Sequence, residues 1–350
     1  LTARDGGPAV AADRPTPGRA FIVGLPKAEV HLHLEGCLPA EIVTAAAARH
    51  GSSAPVGGRD GRVAVASLAE LLAYLDWSCG LIDRPEELRA IARAICARAS
   101  ASGTCHVDVI MNPGHWGRWR GDLRAMIDAL DAGFSDAAAE GHATAGLCVS
   151  LGRHQSAGEA DELVGEVLDM AHPRVLALSI DGNEAGGSHT ERFVDAFARA
   201  GAAGLRRCAH AGESSGPAGV REAIDLLGAE RIDHGVRCVE DPALVEELAR
   251  RRIPLDICPT SNVVLGVAAD WPSHPADRLR RAGVLFSLNT DDPLLYGIDL
   301  AGEYERSAAA FGWGEAELAT VAHTSIVSCF APPARRAELL DELEEFIAPG

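Results

Sequence analysis

Val30-His31-Leu32-His33-Leu34-Glu35-Gly36 is the stretch from which the rest of the chain is read. Side chains alternate along a strand, so His31, His33 and Glu35 share one face and Val30, Leu32 and Leu34 the other. Two imidazoles on adjacent same-face positions reach one cation, and neutral imidazole nitrogen is a common zinc ligand. Alone, the pair is a weak signal, and two hydrogen-bonded structural histidines are the commoner reading. Gly36 is expected to turn the chain where a ligand needs backbone access. The stretch also separates two architectures. An open doubly wound sheet carries a Gly-rich phosphate turn after its first strand, and H-L-H-L-E-G is not one.

Working outward, strands and helices alternate. Thr104–Met111, Thr144–Leu151, Val175–Ile180, Arg206–His210, Arg231–His234, Pro254–Ile257 and Val284–Leu288 read as short apolar strands. Helical patterns follow them, among them Asp122–Glu140, Ala157–Ala171 and Glu191–Ala200. With the opening strand these make eight strand–helix units, which imply a parallel sheet closed into a (β/α)₈ TIM-type barrel. Between the first two strands, about 37–101, lies a helical insertion long enough to lid a pocket. There Ser67 is placed to cap a segment with Leu68, Leu71, Leu72 and Leu75 at helical spacing. Residues 1–20 read as a disordered lead-in to a single domain over 21–350. Glu315 to Ile347 reads as two or three extra C-terminal helices.

A hydrophobic fraction of 47% supplies a large core, and a net charge of −18 argues against nucleic acid or an anionic membrane as partner. No apolar run is long enough for a transmembrane helix. Nine scattered cysteines without a C-x-x-C pair read as free thiols in a reducing cytoplasm. Oligomeric state is not legible.

Catalytic residues of such barrels sit at the C-terminal ends of strands. There the polar residues gather: His31, His33 and Glu35 after the first strand, Gly182 and Glu184 after the fourth, and His210 and Glu213 after the fifth. Asp233 and His234 end the sixth, and Asp291 and Asp292 the eighth. Three histidines and a carboxylate on one mouth make a zinc site with water as a further, reactive ligand. Glu213 reads as the proton shuttle and His234 as the group that stabilises the attacking hydroxide. Of the adjacent pair Asp291-Asp292, one carboxylate is free to bind metal and the other to accept a substrate proton. The other nine histidines read as surface or core residues, His106 alone being worth watching. A two-metal amidohydrolase bridged by a carboxylated lysine is disfavoured, because the only lysine, Lys27, precedes the first strand.

H-L-H-L-E-G, H-A-G-E, R-I-D-H-G, C-P-T-S-N (258–262) and N-T-D-D-P (289–293) together resemble the adenosine and adenine deaminase family of zinc aminohydrolases. The motifs run in the family's order from residue 26 to about 300. The resemblance implies one zinc ion per chain held by His31, His33, His210 and Asp291. It implies that Glu213 protonates purine N1 and that His234 orients the hydroxide. Asp292 would be the acceptor at N7 and Gly182 the backbone donor to N3. The implied reaction deaminates a 6-aminopurine, a small-molecule substrate. Glu35 stands where nucleoside-specific members usually carry Asp and resembles the adenine-deaminase branch. C-P-T-S-N and N-T-D-D-P-L look more like bacterial adenosine deaminases. The expectation is therefore adenosine or a modified adenine nucleoside, with adenine as the alternative, and a more remote metal-dependent amidohydrolase after that.

Overall fold

The computed structural model describes residues 16–55, 58–59, 62–63, 68–185 and 189–348. Eight parallel strands follow one another around a barrel in chain order: β1 (Lys27–His33), β2 (Thr104–Met111), β3 (Thr144–Gly152), β4 (Val175–Asp181), β5 (Arg206–Ala211), β6 (Arg231–His234), β7 (Leu255–Ile257) and β8 (Phe286–Leu288). Helices cover their outer faces, so the strands are buried on both sides and read as apolar runs rather than alternating ones. β7 starts after Pro254, which has no N–H to give the ladder.

The seam between β8 and β1 closes largely through the residues that follow β8. Leu32 and Asp291 form a parallel bridge, His33 N donating to Asp291 O (2.9 Å) and Asp291 N to His31 O (3.2 Å). Asn289 Oδ1 accepts from Val30 N and His31 N at 2.8 and 3.1 Å, standing in for a missing strand carbonyl. Thr290 N donates to Glu29 Oε1 at 3.0 Å. N-T-D-D-P is therefore partly a closure device, and the doubly wound alternative is excluded.

The barrel interior is plugged by charge as well as by aliphatic side chains. Buried Arg231 pairs with Asp108 and with Asp256, each at 2.6 Å, and its guanidinium lies 3.9 Å from the centroid of the Phe330 ring. A buried cation with two carboxylate partners is tolerated, whereas removal of one partner would strand the other charge. His106 belongs to this layer, bonded to Thr144 Oγ1 (2.8 Å) and Asp108 Oδ1 (3.0 Å), away from the mouth.

Between β1 and β2 the chain forms helix α2 (Ala40–His50), a short hairpin (Gly58–Arg59 with Arg62–Val63), α3 (Leu68–Gly80) and α4 (Pro85–Ala101). The capping position expected at Ser67 lies outside the described residues. Helix α4 packs on β2 and on α5 (Leu123–Ala139), as a wall helix. Helix α3 lies over the mouth, and Leu68, Leu71, Leu72 and Leu75 line the cavity beneath it. Most of the expected lead-in is outside the described residues, but α1 (Arg19–Gly24) already takes in its last two positions. The pattern at 191–200 resolves into a 3₁₀ turn, Thr190–Phe193, followed by a helix over Val194–Ala202. The tail forms two helices, Glu315–Ser328 and Pro333–Ile347, the first packed against β1 and β8.

Candidate active site

β1 carries His31 and His33 into the mouth but ends there. Leu34 is already helical (φ −55°, ψ −41°), and Glu35 opens a 3₁₀ turn rather than extending the strand. It still lines the cavity, with Oε2 3.9 Å from His33 Nδ1. The expected role of Gly36 needs the same revision. Its φ is not in the left-handed region, and a Cβ there would sit 2.6 Å from the Cα of Asp292. Glycine is needed because two backbones cross closely.

Four donors converge. His33 Nε2 lies 3.1 Å from His210 Nε2, and Asp291 Oδ1 lies 3.3 Å from His31 Nε2 and 3.4 Å from His33 Nε2. Ligands bound to one ion at about 2.0–2.2 Å are separated from each other by roughly 3–3.5 Å, so the set fits a single divalent metal. Nε2 of His31, the ring nitrogen that faces the cluster, is buried without a hydrogen-bond partner, which fits a role as a metal ligand. Burial would raise the Asp291 carboxyl, but the imidazoles of His31, His234 and His33 hold it well below the carboxylate range.

Glu213 and His234 stand beside this cluster, with His234 Nε2 3.6 Å from Glu213 Oε1 and 4.0 Å from Asp291 Oδ2. His234 (φ 60°) and Asp291 (φ 64°) both occupy the left-handed region, a strain of about 1–3 kcal/mol each that tends to gather at functional sites. Burial pushes His234 down to about 4, so its ring is neutral, and pushes Glu213 up. Burial and the neighbouring Asp291 raise Asp292 well above the usual carboxylate range; its Oδ1 is buried and unpartnered. Gly182 follows β4 and lines the same cavity, as do Glu35 and Asp292. Burial lifts Glu35 to about 7. Its Oε1 accepts from Trp116 Nε1 (2.7 Å) and Asn112 N (2.9 Å), leaving Oε2 buried and unpartnered.

Four supporting residues were missed as such in the sequence. Asp233 reaches Nδ1 of His210 (3.2 Å), bracing that imidazole on its far side, and sets a carboxylate 3.8 Å from Nδ1 of His31. Glu184 accepts from Glu213 N (3.0 Å) and Ser214 N (2.9 Å) on Oε1, and from Gly212 N (2.8 Å) and Ser215 Oγ on Oε2. It therefore fixes the turn that presents Glu213. His274, dismissed as surface or core, starts a relay. Ala276 N donates to its Nδ1 (3.2 Å), which puts the ring proton on Nε2 toward Asn262 Oδ1 (3.1 Å). Asn262 Nδ2 must then donate to His234 Nδ1 (3.3 Å), so the His234 proton sits on Nε2, facing the site. Asp233 and Asn262 lie inside quoted motifs, and Glu184 among the polar residues after the fourth strand; adjacency to a candidate was the only signal available.

The adenosine deaminase family model matches residues 26–346. The chain belongs to the adenosine deaminase family. Among its relatives within the family, an adenine deaminase of Sphingopyxis alaskensis is 34% identical over 93% of this chain and 96% of its own length. An aminodeoxyfutalosine deaminase of Streptomyces avermitilis is 32% identical over 94% and 93% respectively. The crystal structure of an amidohydrolase from Burkholderia ambifaria with bound Zn superposes with a TM-score of 0.83 at 30% identity, covering 98% of this chain and 96% of that one. The (β/α)₈ barrel and the deaminase class of hydrolase therefore hold for this chain.

Proposed function

We propose that this member of the family uses one zinc ion to hydrolyse the 6-amino group of a purine, adenosine or a modified adenine nucleoside being the substrate. The convergence of His31, His33, His210 and Asp291, linked through three donor-atom distances of 3.1–3.4 Å, with Glu213 and His234 on the same cavity, carries this reading. When bound, the ion supplies Lewis acidity that makes water nucleophilic at neutral pH. Glu213, made more basic by burial, passes one proton of the attacking water to N1 as oxygen bonds to C6; the other goes to the amine as the C6–N bond breaks, and ammonia leaves. Neutral His234 aims its Nε2–H at the incoming oxygen. Asp292 pairs at N7 and the Gly182 backbone at N3, which fixes the ring plane. The leucines of α3 keep bulk water out.

Free adenine is the second reading, favoured by Glu35 and by relatives named adenine deaminase. Its anchored carboxyl offers one fixed oxygen to whatever lies at the outer edge of the purine. We also place the protein in the cytoplasm. All nine cysteines are free thiols, eight of them buried, and among the described residues no helix is long and apolar enough to cross a membrane. The test is metal content together with ammonia release from adenine, adenosine and related aminopurines. One zinc per chain and turnover of at least one of them are expected. Two tightly bound metals and no aminopurine turnover would point to a different amidohydrolase.

A further inference from the structure

A second cavity of ≈ 660 Å³ adjoins the catalytic one, and Leu72, His115, Asp181 and Gly182 line both. Its lining carries three guanidinium groups against two carboxylates. Each of its two carboxylates already has a partner: Asp76 Oδ1 lies 2.6 Å from His115 Nδ1, and Asp181 Oδ1 accepts from Asn112 Nδ2 at 2.5 Å. Its three guanidinium groups belong to Arg120, Arg153 and Arg192, none of them ion-paired to a carboxylate among the described residues. Arg192 donates to the backbone carbonyls of His189 (3.4 Å) and Arg153 (3.3 Å). Arg153 donates to His210 O (2.6 Å), while its Nε is buried with no hydrogen-bond partner. Burial pushes the Arg153 guanidinium below its ordinary value, and the surrounding Glu184, Asp181 and Glu222 offset this only in part. Arg120 is exposed at the rim. In a chain of net charge −18, a cavity walled by unpaired guanidinium groups stands out as a place built for an anion.

The position of the cavity says which part of a substrate would enter it. The placement rests on the proposed function, in which Gly182 holds purine N3. N3 and N9 are bonded to the same ring carbon, C4, whereas the reacting C6 lies on the opposite side of the ring system. A substituent on N9 therefore leaves the catalytic cavity beside Gly182, the residue shared with the arginine-lined annex. We infer that the preferred substrate is a 9-substituted 6-aminopurine whose substituent ends in an oxyanion, held by Arg120, Arg153 and Arg192. Phosphate and carboxylate share the chemistry that a guanidinium fork recognises.

The experiment compares kcat/KM of the zinc-loaded enzyme at low ionic strength for adenine, adenosine, adenosine 5′-monophosphate and adenosine 5′-carboxylic acid. At least one anionic nucleoside is expected to exceed adenosine by about tenfold, the worth of one charge-assisted hydrogen bond. The better of the two anions identifies the group. Arg120→Ala and Arg192→Ala should each bring the anionic-to-neutral ratio toward one, Arg192→Lys should keep part of it, and added salt should lower it in the parent. Arg120 is exposed, so its variant tests the idea even where Arg192→Ala fails to fold. Equal rates for anionic and neutral nucleosides, a ratio indifferent to the arginines, or adenine faster than every 9-substituted compound would each overturn the inference. Absence of ammonia from every aminopurine would instead overturn the deaminase reading on which it stands.

Discussion

Replacing Glu184 with Gln tests whether the turn that carries Glu213 is held from behind. The carboxylate takes four hydrogen bonds, three from consecutive backbone N–H groups of Gly212, Glu213 and Ser214, and the fourth from Ser215. These bonds keep the Glu184 carboxyl below its ordinary value although burial opposes them. An amide has one acceptor oxygen. Its best pose keeps that oxygen on Glu213 N and Ser214 N and turns the NH₂ toward Ser215 Oγ, which can rotate to accept. Gly212 N–H is then unpaired at a cost of about 1–3 kcal/mol, and the two retained bonds lose their charge assistance, about 1 kcal/mol each. A turn loosened by about 3–5 kcal/mol lets the Glu213 carboxyl wander, and a displacement of ~1 Å can cost ~10²-fold in rate. The expected result is a fall in kcat of about 10–100-fold with KM and zinc content little changed, because His210 lies on β5 and not in the turn. Steady-state kinetics, metal analysis and a double-mutant comparison provide the assay. In a Glu213→Gln background, Glu184→Gln should cost almost nothing further, since the group it positions is already disabled. The same fold-loss in both backgrounds, or parental kcat in the single variant, would refute the reasoning.

Glu213→Gln itself should keep its zinc and lose at least ~10²-fold in kcat, as befits a removed proton donor; near-normal turnover would take Glu213 out of the reaction. His274→Phe preserves an aromatic ring but removes the donor to Asn262, so ¹⁵N shifts of His234 should change from a single Nε2–H tautomer to a mixture, with a fall in kcat of about 3–10-fold from one weakened hydrogen bond. Unchanged His234 shifts would break the relay. Glu303, fully buried and bonded to Thr260, is pushed by burial up to about 7. Its folded value is raised, so its stabilising share is complete below about pH 4.5 and is lost as pH rises through about 7, some ~3 kcal/mol in all. Urea unfolding of the parent and of Glu303→Gln should therefore show the variant gaining relative stability between pH 5 and pH 8, and a constant difference would argue against a buried protonated carboxyl.

The linear chain held the barrel in legible form because a parallel strand buried on both faces must be a short apolar run, and eight such runs punctuated by helices have few alternatives. The candidate metal-binding set was legible for a related reason. In a barrel the ends of parallel strands all meet at one mouth, so polar residues at strand ends converge whatever their separation in sequence. Thus position alone pointed to His31, His33, His210 and one carboxylate of the Asp291-Asp292 pair, the resemblance singled out Asp291, and the structure brings these donor atoms together. What the chain could not show is what depends on register and on backbone approach. That Asp233 braces His210 follows from their pairing across β5 and β6. Gly36 answers to the backbone of Asp292, 256 positions away, not to its own turn. His274, Asn262 and His234 come from three separate segments, and only their packing orders the protons between them. Local pattern determines which elements form and which ends face the mouth. Contacts between elements, set by close packing in three dimensions, decide which of the polar residues react and which hold them in place.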